Sequence, residues 1–167
     1  MTAGKVGAPA PTILAVDPGP AESGYVIYND RIVRHGKIPN ERLLAGISKV
    51  GAEYLVIEQI RGYGMRVGNE TFDACVWCGR FGERFGWSLT HWLPRKTIVT
   101  ALCNTATAGD TEIRAALAYR YGSADVKSAK GTAKKPGPLY GFANDEWSAL
   151  AVAVVWQDMR AGGRVQL

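Results

Sequence analysis

The chain has 167 residues, 47% of them hydrophobic, enough to bury a sizeable core within one domain. Lys and Arg number 20 against 15 Asp and Glu, a formal charge of +5 that favours a polyanionic partner. No apolar run is long enough to span a membrane. Cys75, Cys78 and Cys103 are too few for a disulfide scaffold, so a reducing cytoplasm is the simpler home.

Residues 1–11 are small and Pro/Ala-rich and read as a flexible tail; residues 12–167 read as one domain. The first strand is Ile13-Leu-Ala-Val-Asp17. A Pro/Gly turn follows to Gly24, then a second strand at Tyr25–Tyr28, a short hairpin signal at Asn29-Asp30, and a third strand at Arg31–Ile38. Pro39-Asn40-Glu41 opens a helix with Leu43, Leu44, Ile47 and Val50 at helical spacing. That helix crosses over to a fourth strand, Tyr54-Leu-Val-Ile-Glu58, as parallel pairing with the first requires.

Both of these strands end in a carboxylate. Side by side and parallel, their ends would lie about 4.8 Å apart, placing Asp17 and Glu58 in one small volume. Carboxylates that close repel unless a positive charge lies between them, and a hard divalent cation such as Mg²⁺ meets that need with oxygen ligands. Asp145, at the start of the last apolar helix, is the third candidate ligand. A basic chain with clustered acids points to metal-dependent nucleic-acid chemistry.

Between these acids, Gln59–Gly68 reads as a loop carrying Arg61, Tyr63 and Arg66. Asn69 is expected to cap a helix to about Phe85, with Phe72, Cys75, Val76, Gly79 and Gly82 along one side. Such a face packs either into the core or against a helix of a second subunit. Cys75 and Cys78 read as small packing groups, without the partners that a zinc site needs. Ser88–Leu93 makes a fifth strand; Pro94 starts a short helix beside Arg95 and Lys96, and Thr111–Tyr121 is another. Gly122–Gly141 reads as a basic loop whose Lys127, Lys130, Lys134 and Lys135 suit phosphate contact. The final helix, Asn144–Trp156, is apolar nearly all round and should be buried against the sheet, its first turn facing the acid-ended strands.

Taken together and in order, ILAVDPGPAESGYVIYN, LVIEQ and NDEWSALAVAVVW resemble the RuvC-type Holliday junction resolvases of the ribonuclease H-like superfamily, most of all the versions carried by bacteriophages. The resemblance runs from about residue 12 to 160. It implies an α/β fold, a ribonuclease H-like five-stranded mixed sheet flanked by helices. It further implies a homodimer that binds four-way junctions in branched DNA and makes paired nicks leaving 5′-phosphates. Two Mg²⁺ or Mn²⁺ ions per site would be held by Asp17, Glu58 and Asp145.

The sequence departs from that pattern in three places. The family commonly carries a fourth acid one helical turn after the Asp145 position; here it is Ser148, a weaker metal ligand. The aromatic usual just after I-E-Q is replaced by Arg61, leaving Tyr63 to stack on an exposed base. Of two basic residues that the cellular enzymes place before the last helix, Arg95 and Lys96 retain the first, whereas Asp110 stands near the second. The loop lysines would compensate. A broader debranching nuclease acting on flaps and forks, or a non-catalytic junction-binding protein, are the alternative readings.

Overall fold

The computed structural model describes residues 9–64 and 66–165. Five strands, β1 (Ile13–Asp17), β2 (Glu22–Tyr28), β3 (Ile32–Pro39), β4 (Tyr54–Gln59) and β5 (Thr90–Pro94), form one mixed sheet of order β3-β2-β1-β4-β5. β1–β2 and β2–β3 pair antiparallel, while β1–β4 and β4–β5 pair parallel. Helices α1 (Asn40–Gly46), α2 (Asn69–Phe85), α3 (Arg95–Cys103), α4 (Asp110–Arg120), α5 (Val126–Lys130) and α6 (Asn144–Ala161) flank it.

The central strands are apolar throughout because both sheet faces are covered. Along β1 the side chains alternate: Ile13 and Ala15 join the buried cluster built around α6, whereas Leu14 and Val16 join the cluster containing Leu43 of α1 and Cys78 and Phe81 of α2. β4 follows the same rule, with Val56 toward α6 and Leu55 and Ile57 toward the other face. Continuing the alternation puts Asp17 and Glu58 on the α6 face. The helix that covers them is buried from Trp147 to Gln157 apart from Ser148, as its nearly uniform apolarity requires.

Several boundaries differ from the sequence reading, each for a local reason. β2 begins at Glu22 and β3 ends at Pro39, because the turn after β1 is shorter than its Pro and Gly content implies. The helix after β3 stops at Gly46 and continues as a 3₁₀ turn, Ile47–Lys49. α2 is capped by Gly68, and Asn69 is its first residue without a side-chain cap bond. Its buried side is Ala74, Cys78, Phe81 and Gly82, so Cys75 is exposed while Cys78 packs. A 3₁₀ turn, Trp87–Leu89, takes the residues expected to begin β5. α6 runs on to Ala161. Of the N-terminal tail, residues 1–8 lie outside the described residues, while Pro11 is buried and its carbonyl accepts a 3.0 Å bond from Gln157 Nε2.

The basic stretch is folded, contrary to its reading as a plain loop. α5 is capped by the Asp125 carboxylate, which accepts from Ser128 N. Reciprocal bonds between Thr132 and Lys135 then close a tight turn that returns Leu139 against Ala129, both fully buried. Gly131 has φ +64, and a Cβ there would stand 2.4 Å from the Lys135 carbonyl oxygen, so only glycine fits. Single apolar anchors hold this excursion, and these leave no periodicity to read.

On the α6 face, His91 of β5 packs against Tyr54 and Trp156, with ring centroids 5.4 and 5.2 Å away. Burial pushes its imidazole below the ordinary value of 6.5. The unfolded chain therefore binds the proton more readily, so the stability contributed by neutral His91 is present above about pH 6.5 and lost as pH falls below it. An NMR titration of His91 should give a midpoint below 6.5, and His91→Phe should flatten the acid limb of the pH–stability profile.

Candidate active site

The turn that follows Asp17 is built around two fully buried polar residues, Ser23 and Asn40. Ser23 Oγ donates to Asn40 Oδ1 at 2.6 Å and accepts from Gly19 N at 3.3 Å, while Asn40 Nδ2 donates to the Gly19 carbonyl at 2.9 Å. This network fixes the chain leaving β1. Asn40 therefore serves the turn as well as starting α1.

Asp17 stands opposite Gly24 on β2, and Gly24 stands opposite Lys37 on β3. The first turn of α6 lies directly over Gly24: a Cβ there would be 2.5 Å from the carbonyl oxygen of Asp145 and 2.8 Å from its Cβ. The missing side chain is thus what admits Asp145 to the sheet surface. The turn itself is locked by Glu146, whose Oε2 accepts from Ala143 N and whose Oε1 lies 2.8 Å from His35 Nδ1, both at 2.8 Å. His35 also stacks on Phe142 at 3.9 Å between centroids.

Asp17 and Glu58 both titrate high. Burial, then the charges of Glu58 and Asp145, push Asp17 from 3.8 to about 8, against the opposing pull of the Ser148 hydroxyl and the Arg95 guanidinium. Burial raises Glu58 as well, outweighing Arg95, whose guanidinium lies 3.3 Å from Glu58 Oε1. Arg95 also pairs with Asp110, so the acid in the register of the family's second basic residue holds the first one in place. Asp145 Oδ2 is engaged at 2.8 Å by Lys37 Nζ, and the carboxylate keeps that ammonium charged beyond its ordinary range.

The donor chemistry fits a hard divalent cation: carboxylate oxygens, one of which, buried and beside two other acids, titrates well above the ordinary carboxylate range. Among the described residues, however, no three Asp, Glu, His or Cys groups are gathered closely enough to hold an ion as they stand. The expected three-acid cage is open, with Asp145 paired to Lys37 and Glu58 to Arg95. Ser148 is partly buried on α6, and its hydroxyl is directed at Asp17.

Beyond Glu58, Arg61, Tyr63 and Lys96 line one cleft of about 680 Å³ together with Asn104 and Arg164. Tyr63, Arg95 and Lys96 line a second, of about 340 Å³. Tyr63 is 58% exposed, an aromatic ring open to stacking. Arg66, Lys127, Lys130, Lys134 and Lys135 line neither cleft. Lys37, His35 and Arg164 were not among the residues expected from sequence. The alternation of His35 and Lys37 on one strand is the signal that would have paired them.

No protein-family model matches the sequence, and no curated protein does. Solved structures match the fold, which is that of the RuvC-type resolvases, the ribonuclease H-like arrangement of five strands and flanking helices. Thermus thermophilus RuvC superposes with a TM-score of 0.64 at 12% identity, covering 92% of this chain and 97% of that one. T. thermophilus RuvC in complex with Holliday junction substrate gives 0.65 at 13% identity, with the same coverage of 92% and 97%. A Fowlpox virus resolvase with substrate Holliday junction DNA gives 0.45 at 11% identity, covering 89% of this chain and 98% of that one.

Proposed function

We propose that this protein is a homodimeric, structure-specific DNA endonuclease that resolves four-way junctions by paired, metal-dependent nicks leaving 5′-phosphates. The observation that carries the reading is the pair of high-titrating carboxyls, Asp17 and Glu58, at the ends of adjacent parallel strands on the fold of a protein solved with Holliday junction substrate.

Asp17, Glu58 and Asp145 would hold Mg²⁺ or Mn²⁺, two ions per site, with Ser148 a weak oxygen beside them. When bound, such ions supply the Lewis acidity that lets water attack phosphorus near neutral pH and the 3′ oxygen depart. Arg95 holds Glu58 in place, and Arg61, Lys96 and Arg164 offer positive charge to the phosphates that pass the clefts. The deciding experiment is cleavage of matched four-way, three-way, flap and linear DNAs at one salt concentration with Mg²⁺. Cutting confined to the four-way junction is expected. Equal cutting of flaps and three-way DNA would replace resolution with debranching, and binding without any cutting would leave a non-catalytic binder.

Paired cuts need two sites in one symmetric frame. On α2, Phe72 and Val76 are 59% and 61% exposed, and a Cβ at Gly79 meets nothing within 4 Å. A second copy of the chain placed there would bury this apolar strip. Gly79→Leu, whose Cβ would meet nothing within 4 Å in its own protomer, should then weaken dimerisation and uncouple the two cuts. A wild-type protein that sediments as a monomer on junction DNA would exclude this arrangement.

Charge and stacking should separate experimentally. Neutralising Lys127, Lys130, Lys134 and Lys135 should weaken binding to every DNA and flatten its salt dependence by about one unit per lost phosphate contact. Tyr63→Ala should instead reduce junction cleavage far more than binding to linear duplex, since a stacked base is worth roughly 1–3 kcal/mol. Equal loss on both DNAs would transfer the role to Arg61.

A further inference from the structure

β3 directs two basic side chains at two acids of a single helical turn, and the two pairs are built differently. His35 meets Glu146, which is buried and already committed to the Ala143 amide, so this pair belongs to the fixed end of α6. Lys37 meets Asp145 in the open: their side chains are 44% and 34% exposed. Among the described residues, Glu22 also pairs with Lys37, at 3.9 Å and half-exposed, and Asp17 acts on it by charge.

Asp17, Gly24 and Lys37 form one row across β1, β2 and β3. At about 4.8 Å per strand, Asp17 and Lys37 stand roughly 10 Å apart at the backbone, with the side-chain-free Gly24 between them. The Asp145 backbone rests on Gly24. Its carboxylate is therefore placed between an ammonium on one side and the Asp17–Glu58 pair on the other. It lies near enough to Asp17 to disfavour a second negative charge there, yet is bonded to Lys37.

We propose that Lys37 is an internal counter-ion that competes with the divalent cation for Asp145, and so sets how tightly the ion is held before DNA arrives. This rests on the reading of Asp145 as a metal ligand. Without an ion, Lys37 draws the third carboxylate away from two others that repel it. For Asp145 to join Asp17 and Glu58 around a cation, the bond to Lys37 must break, and that exchange weakens binding of the ion. Lys37 is a positioning residue here, acting through Asp145.

The test is Mn²⁺ uptake by the DNA-free protein, followed by electron paramagnetic resonance and by calorimetry. Lys37→Met, at an exposed strand position, should bind Mn²⁺ about three- to tenfold more tightly than wild type, and Lys37→Arg should restore near wild-type affinity. In an Asp145→Asn background, Lys37→Met should bring no such gain. Unchanged or weaker binding in Lys37→Met, or a gain that persists without the Asp145 carboxylate, overturns the competition while leaving the metal site standing. Mn²⁺ uptake that is absent in every variant, or indifferent to Asp17→Asn, overturns the metal reading and the competition with it.

Discussion

Asp17→Asn should abolish junction cleavage while making the metal-free protein more stable at alkaline pH. The two outcomes share one cause. Burial and two neighbouring carboxylates raise Asp17 to about 8, so the folded protein keeps a proton that the unfolded chain has released above about pH 4. The stability this site contributes is complete below about pH 4 and is lost as pH rises through 8. An amide of the same shape carries no charge at any of these values. In urea unfolding with a chelator present, wild type should lose on the order of 4 kcal/mol between pH 5 and 8.5 that Asp17→Asn retains. Mg²⁺ should restore wild type at pH 8.5 and leave the variant unaffected. Junction binding should survive, because the basic surface is untouched. Undiminished cleavage by Asp17→Asn would remove this residue from the catalytic set.

Gly24→Ala should damage the same site without changing any charge. The added methyl would enter space held by the Asp145 backbone, with contacts of 2.5 and 2.6 Å to its carbonyl oxygen and carbon. α6 cannot simply lift away, since its buried side fills one face of the sheet. Overpacking of this kind costs about 1–3 kcal/mol. A shift of roughly 1 Å in Asp145 should lower cleavage about 100-fold. Gly46→Ala is the control, because a Cβ there meets nothing within 4 Å. Both are read by thermal melting and single-turnover cleavage, and wild-type values for Gly24→Ala would show that α6 does not need this gap.

The parallel pairing of β1 with β4, and with it the placing of Asp17 and Glu58, was readable because acid-ended apolar strands joined by a helix leave little freedom in topology. The partners of the third acid were not. A two-residue turn at Asn29-Asp30 would pair Tyr28 with Arg31 and set Gly24 opposite His35. The structure instead pairs Tyr28 with Ile32 and, past an irregularity between Ile27 and Tyr28, sets Gly24 opposite Lys37. Asp30 takes φ +62 there and its amide is capped by Gln157 of α6, 127 residues away. A bond to a residue so distant in sequence leaves no local trace of the register beside it. Ser23 and Asn40 escaped notice for a similar reason: a serine in a turn and an asparagine opening a helix have ordinary local roles, and only the tertiary fold joins them.

Because α6 both covers the acid-bearing face and delivers Asp145, a growing chain on the ribosome carries Asp17 and Glu58 long before it can use them. Between Glu58 and the end of α6 lie ~100 residues, roughly 5–20 s of synthesis at about 5–20 residues per second. Until then the face that α6 will cover has no lid and its acids have no third member, so a nascent or stalled polypeptide would lack the acid set on which the proposed cleavage depends. Completion of that acid set and completion of the core arrive in the same step of translation.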